Sequence, residues 1–173
     1  SSYAQLDMHG ISVVQALSGG RVLVAGRGII PGSSFDSSAI VRLNANGTID
    51  PSFQVSYSDE YIDGIALQAD SAIVVYGSFR IWADSARKGI VRLNSNGTID
   101  PQFVLDGAGF NTYGGQLFYI HRVVALPSSK LLVTGTFELY NNNPVQKVVR
   151  LNNTGSMDHS FEVDPSVMLN WTD

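Results

Sequence analysis

The sequence predicts an all-β protein, a β-propeller-like array of three four-stranded antiparallel blades that forms a partial propeller or open arc. Three observations carry the prediction. First, a long motif occurs three times: IVRLNANGTIDPSF at 40–53, IVRLNSNGTIDPQF at 90–103 and VVRLNNTGSMDHSF at 148–161. Its arginines, Arg42, Arg92 and Arg150, stand 50 and then 58 residues apart. Second, each copy follows an apolar piece that ends in glycine: VVQALSGGRVLVAG at 13–26, GIALQADSAIVVYG at 64–77 and VVALPSSKLLVTG at 123–135. Third, no sustained 3.6-residue apolar pattern with caps occurs, so almost no helix is expected. Four short strands in a repeat of 50 to 58 residues match one propeller blade. The 173 residues read as a single repeat domain, 1–173, with repeats at approximately 11–60, 61–118 and 119–173.

Each repeat is read in chain order. The first strand, 13–17 in the first copy, alternates and stops at a turn of Ser, Gly, Asp or Pro. The second, 21–26, is rich in branched apolar residues, as expected of a strand buried on both faces. A loop that differs between copies follows. The third strand, 39–43, leads into a tight turn, and the fourth is expected over 48–53. The turn places Gly47, Gly97 and Gly155 where a three-residue hairpin loop needs a left-handed residue. The Asn and Thr side chains around it can hydrogen-bond the turn backbone. With that loop length Arg42 lies opposite Asp50, Arg92 opposite Asp100 and Arg150 opposite Asp158. Such cross-strand pairs stabilise a sheet by about 0.2–1 kcal/mol, so the three are expected to clamp the scaffold.

The two pieces together, V-x-A-L-x-x-x-K/R-x-L-V-x-G and R-L-N-x-x-G-x-x-D-x-x-F, resemble the delta-60 repeat. This is a bacterial and bacteriophage repeat related in shape to kelch-type propellers. The resemblance covers roughly residues 11–161. The sequence departs from the pattern at Arg27-Gly28, in the longer 68–72 turn, and at His159, which replaces Pro51 and Pro101 of the other copies. The resemblance implies a propeller-like, non-catalytic component of a cell surface or a virion, such as a phage tail or fibre, and hence an extracellular, cell-surface or virion location. It implies no particular ligand.

Closed propellers have about four to eight blades, so three leave two open sheet edges that invite association. Three arrangements would resolve this. The chain would be a segment of a longer polypeptide, two chains would close a six-bladed ring, or the arc would pack onto other subunits of an assembly.

Composition narrows the function classes. With 15 acidic and 11 basic side chains and a net charge of −4, the chain lacks the basic footprint of a nucleic-acid binder. An apolar fraction of 44 % with 15 % charged residues describes an ordered globular protein. The absence of cysteine removes disulfides, thiol nucleophiles and thiolate metal sites. No apolar run approaches the roughly 18 residues of a membrane-spanning helix, so no membrane insertion is expected.

Residues that recur in every copy are explained by the blade, so a single site is expected where copies differ. The loops 27–38, 80–89, 104–117 and 138–147 carry aromatic residues. Trp82, Phe110, Tyr113 and Tyr140 are the candidate anchors for a glycan or a protein. The competing reading is that these rings pack between neighbouring blades. Asp59, Glu60 and Asp63 form the densest acidic cluster, a candidate Ca2+ site or simply a solvated loop. His9, His121 and His159 lie far apart and have no metal-ligand spacing. No catalytic residue is assigned. The expected function is a non-catalytic structural or attachment module of a cell-surface or virion assembly. It would bind a surface glycan, a host receptor, or other copies or subunits of the assembly through its variable loops. The alternative is a glycan hydrolase or lyase. That needs two positioned carboxylates, for which Asp106 with Asp59, Glu60 or Asp63 is the available choice.

Overall fold

Short apolar strands joined by tight turns pair with their chain neighbours, and a computed structural model shows this outcome in each repeat. The structure describes residues 7–29, 37–83, 85–103, 109–164 and 166. The first blade contains β1 (Asp7–Ala16), β2 (Val22–Ile29) and β3 (Ser37–Leu43), with a 3-10 turn at Ser18–Gly20 between the first two. A short β4 (Ser56–Ser58) follows. The second blade contains β5 (Ile62–Leu67), β6 (Ile73–Gly77), the small strands β7 (Ile81–Trp82) and β8 (Ser85–Ala86), and β9 (Ile90–Leu93). After β10 (Phe110–Asn111), the third blade contains β11 (Ile120–Ala125), β12 (Leu131–Gly135), the small strands β13 (Leu139–Tyr140) and β14 (Asn143–Pro144), and β15 (Val148–Leu151). All strand pairings are antiparallel, and no α-helix occurs among the described residues.

The blade sheets run β1-β2-β3, β5-β6-β9 and β11-β12-β15. The fourth strand expected at 48–53 is reduced to one bridge per repeat: Leu43↔Ile49, Leu93↔Ile99 and Leu151↔Met157. The ladder stops because the next residues turn. Phe53 N donates to the Asp50 carbonyl at 3.2 Å, and Pro51 and Pro101 have no N–H to offer a ladder. The tight turn itself forms as expected, with Asn44 N donating to the Thr48 carbonyl at 2.8 Å. Gly47, Gly97 and Gly155 have φ of 83°, 87° and 86°, the left-handed region that only glycine enters freely.

Two of the variable loops are less irregular than their sequences imply. In the second blade the loop folds into the β7–β8 hairpin, which pairs with β4 and so extends the sheet of the first blade. In the third blade the β13–β14 hairpin pairs with β10, and the three form a small sheet of their own. Each blade thus clasps the linker that arrives from the blade before it.

The core lies between blades. Leu23, Ile40 and Phe53 of the first blade pack against Ile62, Ile73, Val75 and Phe79 of the second. Val74, Ile90 and Phe103 of the second pack against Ile120, Leu131, Val133 and Phe137 of the third. Positions along one strand therefore serve opposite faces, as period-two alternation requires.

One irregularity recurs in all three blades. The first strand carries a bulge, at Ser12, Asp63 and His121, where one residue has no partner on the second strand. The bulge pulls the start of the first strand over the end of the second. A Cβ on Gly77 would collide with the Tyr61 carbonyl, and one on Gly135 with the Tyr119 carbonyl. A Cβ on Gly26 would collide with the Gly10 carbonyl, so the same crowding accounts for the glycine at this place in every copy. Gly77→Ala is expected to lower the unfolding free energy by roughly 1–3 kcal/mol, the cost of forcing extra volume against a backbone atom. It would be read as a lower urea midpoint with an unchanged m-value.

Candidate functional site

The connectivity separates two ends of the array. First strands run to a hairpin turn, and third strands run to the Asn-Gly turn, so all the short recurring turns share one end. The loops between second and third strands, and the linkers between blades, meet at the other end. At this variable end Tyr61, Ile81, Tyr113, Leu117 and Tyr119 are exposed, Tyr113 to 68 % and Leu117 to 64 %.

Hydrogen bonds tie this surface together across the second and third blades. One Asp59 carboxylate oxygen accepts the backbone N–H groups of Arg80 and Ile81, each at 2.9 Å. Arg80 Nη2 reaches the Gly115 carbonyl at 3.4 Å. Glu138 Oε2 accepts Tyr113 N at 2.9 Å, and Thr136 Oγ1 accepts Tyr119 N at 2.9 Å. The Arg27 guanidinium lies 4.6 Å above the Tyr61 ring, so that ring is held from the first blade. The arrangement offers large apolar and aromatic area on a braced backbone, a binding surface in chemical character.

The four aromatic anchors expected from sequence divide here. Tyr113 is on the surface. Trp82, Phe110 and Tyr140 are fully buried, which corrects their assignment as surface anchors. Trp82 packs against Phe79 with ring centroids 5.3 Å apart. Phe110 sits between Phe137 and Tyr140 at 4.4 and 4.6 Å, and the Tyr140 hydroxyl donates to the Gly155 carbonyl at 2.5 Å. The physical reason is the small hairpins. In Ile81-Trp82 and Leu139-Tyr140 the second residue points inward, and a two-residue strand is too short for that alternation to be read. Tyr61, Leu117 and Tyr119 were missed. A signal existed for two of them: Tyr61 and Tyr119 occupy the same position, just before the buried Ile62 and Ile120.

The acidic cluster does not assemble. Among the described residues no group of three or more His, Asp or Glu side chains is placed to hold a metal ion. Asp59 is engaged by two backbone amides, whereas Asp63 is the bulge residue of β5, where burial pushes its carboxyl above the ordinary value. The candidate Ca2+ site at Asp59, Glu60 and Asp63 is thereby corrected to a structural loop. Asp106 lies outside the described residues. His9 falls within β1, and His159 lies in the turn after Asp158.

The arginine–aspartate pairs occupy the turn end. Arg42 Nε donates to Asp50 Oδ2 at 2.8 Å, Arg92 Nη1 lies 3.2 Å from Asp100 Oδ2, and Arg150 Nε donates to Asp158 Oδ2 at 2.6 Å. The other carboxylate oxygen braces the following turn. Asp50 Oδ1 accepts the Ser52 amide at 2.9 Å and its hydroxyl at 2.7 Å, and Asp158 Oδ1 treats Ser160 alike. Each of the first two arginines also crosses to the next blade: Arg42 Nη1 donates to the Ser95 carbonyl at 2.5 Å, and Arg92 Nη1 to the Asn153 carbonyl at 2.9 Å.

These bonds set the acidity of the aspartates. The Ser52 hydroxyl and amide, followed by Arg42, lower the Asp50 carboxyl from 3.8 to about 2. Lys130, Ser160 and Arg150 hold Asp158 well below the usual carboxylate range. A depressed folded-state value contributes stability that is present above the ordinary value and lost as pH falls through the folded one. The stability advantage of the native chain over Asp50→Asn is therefore expected to shrink between about pH 4 and pH 2. Urea titrations of both proteins across that range, read as a difference, check it; a constant difference would contradict the assignment.

A family model described as "Domain of unknown function (DUF5122) beta-propeller" matches residues 18–53, 68–103 and 126–161. Each match runs from the hairpin turn of one blade to the phenylalanine after its Asp turn, Phe53, Phe103 or Phe161. No curated protein and no solved structure matches the chain. The three matched stretches cover more than half of the sequence, one in each blade, and on that ground the chain belongs to the DUF5122 beta-propeller family.

Proposed function

We propose that the chain is a non-catalytic structural and attachment module, a propeller segment that presents its variable end to a partner. The observation that carries this reading is the gathering of Tyr61, Ile81, Tyr113, Leu117 and Tyr119 on one braced end, against the glycine turn of the repeated motif at the other. Isolated exposed apolar residues are ordinary, whereas several collected at one end point to an interaction surface. Tyrosines suit both sugar stacking and protein contact, so a surface glycan or a surface protein is the proposed partner. The motif resemblance to the delta-60 repeat supports a place in a cell-surface or virion assembly. The glycan-processing alternative is less well supported, because Asp59 is engaged by backbone amides rather than presented to a substrate.

Tyr113→Ala and Leu117→Ser are the variants of choice, since both side chains are exposed and neither is part of a blade joint. Attachment to a panel of surface glycans and to intact cells is expected to fall by roughly tenfold or more with either change, the usual loss for an anchor residue. The melting temperature is expected to stay unchanged. Full retention of attachment in the double variant would remove this surface from the reading. Turnover of any glycan in a pooled panel would replace it with the enzyme alternative.

A further inference from the structure

The two joints between the described blades are built alike, and the two outer faces of the array carry the matching halves of a third. On the side that each blade offers to the next, Leu23 and Phe53 of the first blade are buried, as are Val74 and Phe103 of the second. Their equivalents on the third blade, Leu132 and Phe161, are only half-buried. Val124, the counterpart of the buried Ala66, is 39 % exposed. The correspondence follows from register: Leu23, Val74 and Leu132 lie opposite Arg42, Arg92 and Arg150. A groove of about 380 Å³ opens on this third blade beside Val148 and Phe161.

The opposite side of the first blade is the complement. Ile62 and Ile120 seal the internal joints at 0 % and 2 % exposure, whereas their equivalent, Ile11, is 54 % exposed. Val75 and Val133 are fully buried, whereas Val24 is half-buried.

The polar half of the joint repeats the pattern. Arg42 and Arg92 each give Nη1 to a turn carbonyl of the following blade, Ser95 or Asn153. Arg150 is held by Asp158 and Ser160 through Nε and Nη2, and among the described residues its Nη1 has no partner. Its side chain is 25 % exposed, against 8 % and 9 % for Arg42 and Arg92. The turn carbonyl equivalent to Ser95 and Asn153 is that of Ala45, at the other end of the same chain. Likewise Gln54 N donates to the Asn96 carbonyl at 2.7 Å across the first joint, and the matching pair at the ends is Glu162 N with the Asn46 carbonyl.

We propose that a second copy of this chain docks head to tail, with the third blade of each copy against the first blade of the other. In this joint Arg150 donates to the Ala45 carbonyl of the other copy, and Val124, Leu132 and Phe161 cover its Ile11 and Val24. The chain carries both halves of such a contact. A head-to-tail contact either closes into a ring or grows without limit. Two copies of this three-bladed array give six blades, within the range of about four to eight found in closed rings. Gly28 stands where Phe79 and Phe137 fill the internal joints, so this third joint lacks one buried ring and is the weakest of the three. Association is therefore reversible and concentration-dependent.

The inference names a partner for the assembly role proposed above, but it rests on the two end faces and not on the variable end. Light scattering of the purified chain over a concentration series is expected to show a monomer–dimer equilibrium. Ile11→Glu and Val124→Glu place a charge on one face each, at exposed positions where folding is unaffected, as unchanged melting temperatures would confirm. Each alone is expected to weaken dimerisation by roughly tenfold or more. A chain that is monomeric at every concentration, a dimer indifferent to both substitutions, or open-ended growth would each overturn the proposal. A monomer that still attaches through Tyr113 would overturn this inference alone. A dimer that attaches to nothing would overturn only the reading of the variable end.

Discussion

A blade of this protein cannot bury itself. Its middle strand is apolar on both faces, as Ile73, Val74 and Val75 illustrate, and a three-stranded sheet has no second layer of its own. Each face must be covered by the neighbouring blade, and everything else follows from that requirement. Full burial of a ring such as Phe53 or Phe103 contributes about 2–3 kcal/mol, which the isolated repeat would forgo. The stability of the array thus resides in its joints, as in other proteins built from stacked repeats.

The joints also explain why the repeated motif joins an arginine to a turn. A buried guanidinium is costly unless its charge and its donors are satisfied. Arg42 meets its charge with Asp50 in its own blade and sends another N–H to the turn of the next blade. The turn that receives it belongs to the next copy of the same motif. One sequence block therefore acts as donor toward one neighbour and acceptor toward the other, and its recurrence is a packing requirement. The local solutions vary around this theme. Arg92 adds Asp70 at 2.5 Å, and Asp158 adds Lys130 at 2.7 Å, each drawn from the hairpin turn of the same blade.

Placing the joint contacts at the end with the short turns leaves the other end free to differ. The loops there need only supply an inward ring, Trp82 or Tyr140, and a strand edge for the incoming linker. Beyond that they are unconstrained, and it is there that exposed tyrosines collect. Scaffold and candidate site are thus separated along the strand axis, with Asp59 and Glu138 bracing the loops from their own backbone contacts.

Much of the architecture was legible in the sequence because it is local. The three repeats, the left-handed glycine of each turn and the Arg–Asp pairing across it depend on residues within a few positions of one another, so spacing determines them. The fourth strand was overestimated, since an Asp carboxylate that folds back on Ser52 competes with the ladder for the same backbone. The destinations of the loop aromatics were decided only in three dimensions. Tyr113 and Tyr140 sit in similar sequence, yet one is exposed and the other is core. The difference lies in whether a residue falls on the inward side of a two-residue hairpin that pairs with a linker from another blade. Burial of that kind depends on which distant surface arrives to cover a side chain. For the same reason Ile11 and Ile62, equivalent in the repeat, end in opposite environments: one has a blade beside it and the other does not.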